Sequence, residues 1–254
     1  MAIDTLPEPS IPVTTPFRPK LGFLTASPII AVATICLVLI IAISIAAPLL
    51  APHDPKLLLP AQRLKPASAE FLLGTDAYGR DLLSRIIYGG RISLLIGLGA
   101  AVFSIGIGLV IGLVSGFFKW VDAVMMRVMD GLMAIPSILL AIAVVSLSGA
   151  SLMTVMVAIT IPEIPRVARL VRSVVLSARE EPYVEAAISV GSSLPKIMWR
   201  HLMPNTVAPL IVQGTYVAAS AILTEAILSF LGAGISPETP TWGNIMAEGR
   251  AYFQ

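Results

Sequence analysis

The chain has 254 residues, of which 56% are hydrophobic and only 13% are charged, and its formal net charge is +2. A soluble domain carries roughly a quarter of charged residues, so the composition excludes an ordinary soluble protein and predicts a chain that lives in membrane lipid. The small net charge, without a basic run among aromatic residues, argues against a nucleic-acid partner.

The N-terminal part predicts a tail followed by a membrane span. Residues 1–27 are rich in proline and show no helical period, so a mobile cytoplasmic tail is expected there. Residues 28–50 contain no charge and, as a helix, could cross ~30 Å of hydrocarbon. A cleaved signal peptide is the competing interpretation, but its apolar region has roughly 7–15 residues and follows a short basic segment. We therefore expect a retained anchor.

The polar loop 52–91 ends in a predicted amphipathic helix. Its apolar residues recur at helical spacing, whereas the charged residues lie elsewhere; they are Leu82, Leu83, Ile86 and Ile87. Such a short helix is expected to lie on the membrane surface.

The second span is predicted at residues 92–118 and carries a stripe of glycines. Gly108, Gly112 and Gly116 recur every fourth residue. Helices in lipid associate by close approach of their backbones, and a stripe without side chains allows this approach. The stripe therefore predicts a packing face rather than a ligand site.

Three further spans are predicted, at residues 123–147, 152–178 and 206–231. Pro136 is expected to kink the third span, because proline cannot donate the helical hydrogen bond. The fourth span turns polar at Glu163 and continues through three arginines at three-residue spacing, Arg166, Arg169 and Arg172.

Acidic residues within the spans are candidate translocation or helix-packing residues. They are Asp130, Glu163 and Glu225. An ionisable group in a membrane is costly, so Glu225 has either a transport role or a bond to a neighbouring helix, and the sequence leaves both open. Arg127 and Asp130 lie three residues apart on one helix and are expected to pair.

The distribution of Lys and Arg favours a cytoplasmic N-terminus. With this orientation, ten basic residues lie inside and seven outside. Residues 180–205, between the fourth and fifth spans, then lie in the cytosol.

The segment 180–205 is too polar to cross the membrane, yet it favours helix. Gly191 and Pro195 interrupt it, so one or two short helices with a tight bend are predicted. Its apolar face has no burial partner in its own polar surroundings and comprises Ala186, Ile188, Val190, Leu194, Ile197 and Trp199. Such a face requires a groove on lipid or on a partner protein.

The spacing in this segment resembles the EAA loop of binding-protein-dependent ABC importer permeases. The matching positions are Glu185, Ala186, Ala187, Gly191 and Pro204. "HLMPN", with His201 and Asn205, resembles the peptide/nickel branch of that family. Three other stretches are similar to the branch in the same order, namely Leu73–Leu94, Arg127–Ile142 and Ile222–Arg250.

The resemblance implies an all-α, polytopic transmembrane helix bundle of the type I ABC importer kind, with a permease domain at 28–254, in the bacterial inner membrane. It implies pairing with a homologous permease, docking of the loop into a groove on one of two ATPase subunits, and delivery of the solute by an extracytoplasmic binding protein. The family has a sixth span, so with five visible here the chain is expected to be a fragment or to have lost it. The branch handles peptides, nickel complexes, opines and sugars, and the sequence does not choose among them.

Two other functions are considered. A secondary transporter would use the three intramembrane acids as proton or ion sites, and an assembly-only membrane subunit would transport nothing. The sequence has no G-x-x-x-x-G-K-[ST] motif, so no enzymatic site and no cofactor are expected, and ATP is assigned to the partner subunits. Cys36, His53 and His201 lack the spacing of metal ligands, so no metal site is predicted.

Overall fold

The computed structural model describes residues 27–252, so the tail predicted at residues 1–27 lies almost wholly outside the described residues. The helices are α1 (Pro28–Ile45), α2 (Ala47–Leu50), α3 (Leu82–Phe117), α4 (Lys119–Ala134), α5 (Ser137–Ser148), α6 (Leu152–Ala178), α7 (Pro182–Ser189), α8 (Leu194–Ile197), α9 (Met203–Phe230) and α10 (Trp242–Gly249). Within this part of the chain, the β pairing is confined to an isolated bridge between Thr75 and Asp81. The all-α class predicted from the sequence is confirmed.

The described residues fall into two compact units, one ending at Leu39 and the other beginning at Ile40. In the first unit the described residues form most of α1, which has no charged residue in its 18 positions. The second unit contains all the other helices. The predicted division into a tail and a permease domain stays a prediction.

Three helical stretches of the described residues are long and apolar enough to cross a membrane, namely α1, α3 and the continuous stretch Leu194–Phe230. A fourth span results if α4 and α5 together form one bent span. Helix α6 has the bounds predicted for a span, but its sequence is interrupted by the charged Glu163, Arg166 and Arg169.

Helix α3 begins ten residues before the predicted second span. The expectation of a separate surface helix around Leu82–Ile87 is wrong, because this stretch is the first part of a continuous 36-residue helix. Asp81 caps the helix by accepting the Ser84 N–H. The helix continues through Gly89 and Gly90, and their lack of side chains leaves room for Trp242. At ~1.5 Å per residue the helix is about 54 Å long and outreaches the hydrocarbon layer.

The third predicted span is broken rather than kinked. Helices α4 and α5 meet at an angle of 89°. The backbone of Ile135 is extended, with φ −89° and ψ 128°. A residue before proline is driven out of the helical conformation by the proline ring, which explains why the helix ends before Pro136 instead of bending.

The predicted packing role of the glycine stripe is confirmed, and its partner is α6. Added Cβ atoms on the stripe would lie only 2.5–2.6 Å from carbons of three valines: Gly108 faces Val167, Gly112 faces Val171 and Gly116 faces Val175. Residue numbers increase together on both helices, so α3 and α6 run parallel. The glycine-valine seam therefore brings the two backbones into close contact.

Charged residues of α6 tie it to α4. Arg169 pairs with Asp130, and Arg172 pairs with Asp122 through two hydrogen bonds. The expected pair between Arg127 and Asp130 is therefore not found, because Arg169 occupies the Asp130 carboxylate.

A buried charge cluster joins the loop 52–81, α3 and α10. Arg80 contacts Asp76 at 2.6 Å and Glu248 at 2.8 Å, and the fully buried Arg85 contacts the same two acids, each at 3.1 Å. Burial raises the pKa of the Glu248 carboxyl, and attraction to the Arg80 guanidinium opposes this shift. The Glu248 carboxyl is thus held by its two guanidinium partners.

Candidate functional site: the 180–205 segment

The 180–205 segment folds as two helical pieces around a bend. Pro182 starts α7, where its fixed φ suits the first turn and its missing N–H is not needed. Gly191 ends this piece with φ +81°, a left-handed conformation that glycine adopts without strain. The chain then enters α8 at Leu194. The predicted bend at Gly191 is therefore present.

The second piece continues into the long helix that ends at Phe230. The helical stretch runs without a break from Leu194 to Phe230, so the boundary expected near Thr206 is absent. Met198–Leu202 form a π-helical turn, in which the Met203 N–H bonds to the Met198 carbonyl. The widened turn lies directly before Pro204, which cannot donate, so the proline is accommodated without ending the helix.

One side of the segment is anchored in the bundle core. Val184, Ile197 and Leu202 are at most 1% exposed and pack in one apolar cluster with Leu113 of α3 and the seam valines of α6. Ile197 was expected on the free apolar face, and this expectation is wrong because the ends of α3 and α6 cover it. Arg179 adds a hydrogen bond to the Gly116 carbonyl, at 3.3 Å.

The other side of the segment is exposed. Glu185 and Ala186 are exposed and Ala187 is half-buried on α7. Four large apolar side chains remain uncovered, with exposed fractions of 51% for Ile188, 85% for Val190, 44% for Leu194 and 71% for Trp199. An anchored segment that exposes apolar side chains presents a surface for another molecule.

His201 and Asn205 meet at the base of the segment. The Asn205 side-chain amide donates to the Tyr183 hydroxyl at 3.0 Å and to the His201 carbonyl at 2.6 Å. The rings of Tyr183 and His201 lie 6.2 Å apart. Asn205 thus links α7 to the start of α9. Tyr183 was missed from the sequence, where only its position beside Pro182, at the start of the helix, could have indicated it.

The three acids that the sequence predicts within spans lie at separate places rather than in one site. Glu225 is fully buried and accepts hydrogen bonds from Ser229, at 2.9 Å, and from Thr241, at 2.8 Å. Asp130 is paired with Arg169. Glu163 pairs with Arg166 at 3.0 Å, and its second carboxylate oxygen is buried without a partner.

Comparison with known proteins gives a consistent set of relatives. The sequence model of the family described as "binding-protein-dependent transport system inner membrane component" matches residues 104–253. A probable peptide ABC transporter permease protein of Sinorhizobium fredii is 50% identical over 211 residues, which cover 83% of this chain and 72% of the relative.

Two further relatives extend the match along the chain. A dipeptide transport system permease protein of Alkalihalophilus pseudofirmus is 39% identical over 98% of this chain and 82% of its own length. A glutathione transport system permease protein of Pectobacterium atrosepticum is 38% identical over 94% of this chain and 80% of its own.

Proposed function

Because this chain belongs to the inner-membrane components of binding-protein-dependent transport systems and is a permease subunit of an ABC importer, we propose that the solute it carries is a short peptide. The relatives that support this proposal are named for transport of peptides, dipeptides and glutathione.

The 180–205 segment is proposed to couple the permease to an ATPase. The observation that carries this proposal is its division into an anchored side, with Val184, Ile197 and Leu202, and an exposed side, with Ile188 and Trp199. A rigid attachment to α3 and α6 would transmit a displacement of the exposed side into the bundle, as a lever must. The exposed Glu185 would pair with a basic residue on the partner.

The proposed assembly contains a homologous permease, two ATPase subunits and an extracytoplasmic binding protein. This chain has no phosphate-binding loop of its own, so ATP would bind to the ATPase partners. Closure of the ATPases on ATP would move the segment and open the paired permeases to the outside, where the binding protein releases its peptide.

A proton-driven mechanism has weaker support. Asp130 is neutralised by Arg169, and Glu225 is held by two hydroxyl groups, so neither acid needs a transport role to account for its presence.

Uptake of a labelled dipeptide into proteoliposomes tests the function. The vesicles contain this chain, its partner permease, the ATPases and the binding protein. Uptake should require ATP and should persist when the proton gradient is collapsed. Vesicles with an ATPase variant that cannot hydrolyse ATP are the matched control and should show none. Uptake that survives ATP omission, or that stops with the proton gradient, would refute an ATP-driven importer.

A further inference from the structure

A polar cavity lies where α5, α6 and α9 meet. Its volume is about 150 Å³, and Ala141 and Ile159 of the apolar core form part of its wall. Six lining residues are polar or charged: Ser137, Glu163, Arg166, Tyr216, Ser220 and Thr224. Polar groups buried beside an apolar core are costly unless a hydrogen-bonding partner satisfies them, so this polar lining requires such a partner.

The fold assembles this cavity from distant parts of the sequence. The break at Pro136 places Ser137 at the first turn of α5. On α9, Tyr216, Ser220 and Thr224 recur every fourth residue and therefore share one face of the helix. The Thr224 hydroxyl donates to the Ser220 carbonyl at 2.8 Å, which leaves its oxygen free to accept.

Glu163 has one carboxylate oxygen that accepts no hydrogen bond from the described residues. The residue is 6% exposed, its Oε1 accepts from Arg166, and its Oε2 is buried with no hydrogen-bond partner among the described residues. A buried, unpaired carboxylate oxygen is expensive and is normally satisfied in a folded protein. Among the donors that could satisfy this oxygen, a cationic donor also compensates its charge.

Two prolines add acceptors in the same stretch of helix. Pro162, which lines the cavity, and Pro165 cannot donate to the carbonyls of Ala158 and Ile161. The stretch is therefore rich in oxygen acceptors and poor in N–H donors.

Resting on the proposed function, we propose that this cavity binds the charged α-amino end of a peptide during its passage. The ammonium group donates to Oε2 of Glu163 and to the hydroxyl oxygens of Ser220 and Thr224, while Arg166 stays on Oε1. A volume of about 150 Å³ corresponds to roughly five water molecules at ~30 Å³ each. It holds one terminal residue, so peptides of different length and sequence can use the same site.

The test uses the complete complex in proteoliposomes with radiolabelled L-alanyl-L-alanine as the probe. Glu163→Gln keeps the shape of the side chain and removes its charge. The amount of peptide taken up per ATP hydrolysed should fall about tenfold, because the variant loses one hydrogen bond to a charged group. The affinity of the binding protein for the peptide and the ATPase activity without peptide should not change. Glu70→Gln, in the exposed loop before α3, is the matched control and should transport like the parent complex.

The outcomes separate this inference from the function on which it rests. If the parent complex takes up no dialanine with ATP, the peptide function fails and the inference falls with it. If the parent complex is active and Glu163→Gln keeps the same uptake per ATP, only the cavity assignment is overturned. A merely structural Glu163 would impair assembly and basal ATPase activity, which are measured in parallel.

Thr224→Val keeps the test decisive if Glu163→Gln does not assemble. This change replaces the hydroxyl by a methyl group of similar size and leaves the ion pair intact. It should lower uptake per ATP severalfold with normal assembly. Unchanged uptake in Thr224→Val would then overturn the assignment.

Discussion

At the scale of single residues, two acids, the buried Glu225 and the half-buried Glu248, hold the loop after α9 against the bundle. Glu225 accepts from Thr241, whose hydroxyl also accepts the Asn244 N–H at the start of α10. Glu248 of α10 reaches Arg80 and Arg85. Each acid thus joins parts that are far apart in the chain or lie on either side of a loop.

Removal of the Glu248 carboxylate should destabilise the protein. Glu248→Ala leaves Asp76 as the remaining acid beside the two buried guanidiniums, Arg80 and Arg85. The loss of their hydrogen bonds to Glu248 should cost about 1–3 kcal/mol. The free energy of unfolding in detergent, followed by tryptophan fluorescence during denaturant titration, measures the loss.

Glu238→Ala provides the comparison for this change. Glu238 is exposed in the loop before α10, and its replacement should stay within about 0.5 kcal/mol of the parent protein. Equal stability of the two variants would contradict a stabilising charge cluster.

At the scale of helices, the seam between α3 and α6 determines how closely the bundle packs. The glycine spacing predicted a packing face, but its partner could not be predicted. Val167, Val171 and Val175 look in sequence like any apolar residues at four-residue spacing. Only the three-dimensional arrangement shows that they insert against Gly108, Gly112 and Gly116.

Alanine substitutions at two glycines of α3 should affect the stability of the protein differently. At Gly112 a Cβ would lie 2.5 Å from Val171 Cβ and 2.6 Å from the Ala168 carbonyl oxygen, so the helices must separate. We expect a loss of about 1–3 kcal/mol in unfolding free energy. At Gly106 no heavy atom lies within 4 Å, so alanine should be neutral or should stabilise by up to about 1 kcal/mol.

The same unfolding titration decides between the two glycines. The sign of the difference in unfolding free energy between Gly112→Ala and Gly106→Ala is informative, because both substitutions have the same effect on helix propensity. A Gly112→Ala protein at least as stable as Gly106→Ala would show that the seam is not tightly packed.

The helix ends show where the sequence pattern was sufficient and where it failed. The bounds of α6 agree with the span predicted at residues 152–178. The start of α3 was not predicted, because a change from polar to apolar composition was read as a break although no residue there ends a helix. The prediction at Pro136 considered only the hydrogen bond that proline cannot donate, and so expected a kink. Proline also drives the preceding residue, Ile135, out of the helical conformation, and the helix breaks at an angle of 89°.

At the scale of the whole molecule, one apolar cluster connects the exposed 180–205 segment to α3 and α6. The resemblance of the segment order to a known family predicted the helical fold and the position of this segment. Its anchoring could not be predicted from the segment alone, because Val184, Ile197 and Leu202 are covered by helices that lie elsewhere in the sequence.

Gly191→Ala should impair coupling between transport and ATP hydrolysis. Gly191 has φ +81° with open space around its Cα, so alanine introduces backbone strain of about 1–2 kcal/mol without a steric clash. If the bend sets the docking geometry, this strain shifts the docked population by roughly five- to thirtyfold. Peptide-stimulated ATPase activity of the reconstituted complex should fall accordingly.

Gly232→Ala is the matched control for this change. Gly232 follows α9, has φ +79° and likewise has no heavy atom within 4 Å. Its replacement introduces the same local strain outside the 180–205 segment and should leave stimulated ATPase activity close to the parent value. An equal loss in both variants would indicate a general effect of strain rather than a role of the bend in coupling.

The interlocked seam also restricts how the permease can change shape. Glycines packed against valines along three successive turns oppose sliding of α3 past α6, and the shared apolar cluster favours joint movement of both helices with the 180–205 segment. Ile135, between α4 and α5, lies outside any helix, whereas Pro136 has a fixed φ and its carbonyl accepts the Leu140 N–H of α5. A hinge at Ile135 would let α5 swing relative to α3 and α6 and change the width of the opening between α5, α6 and α9.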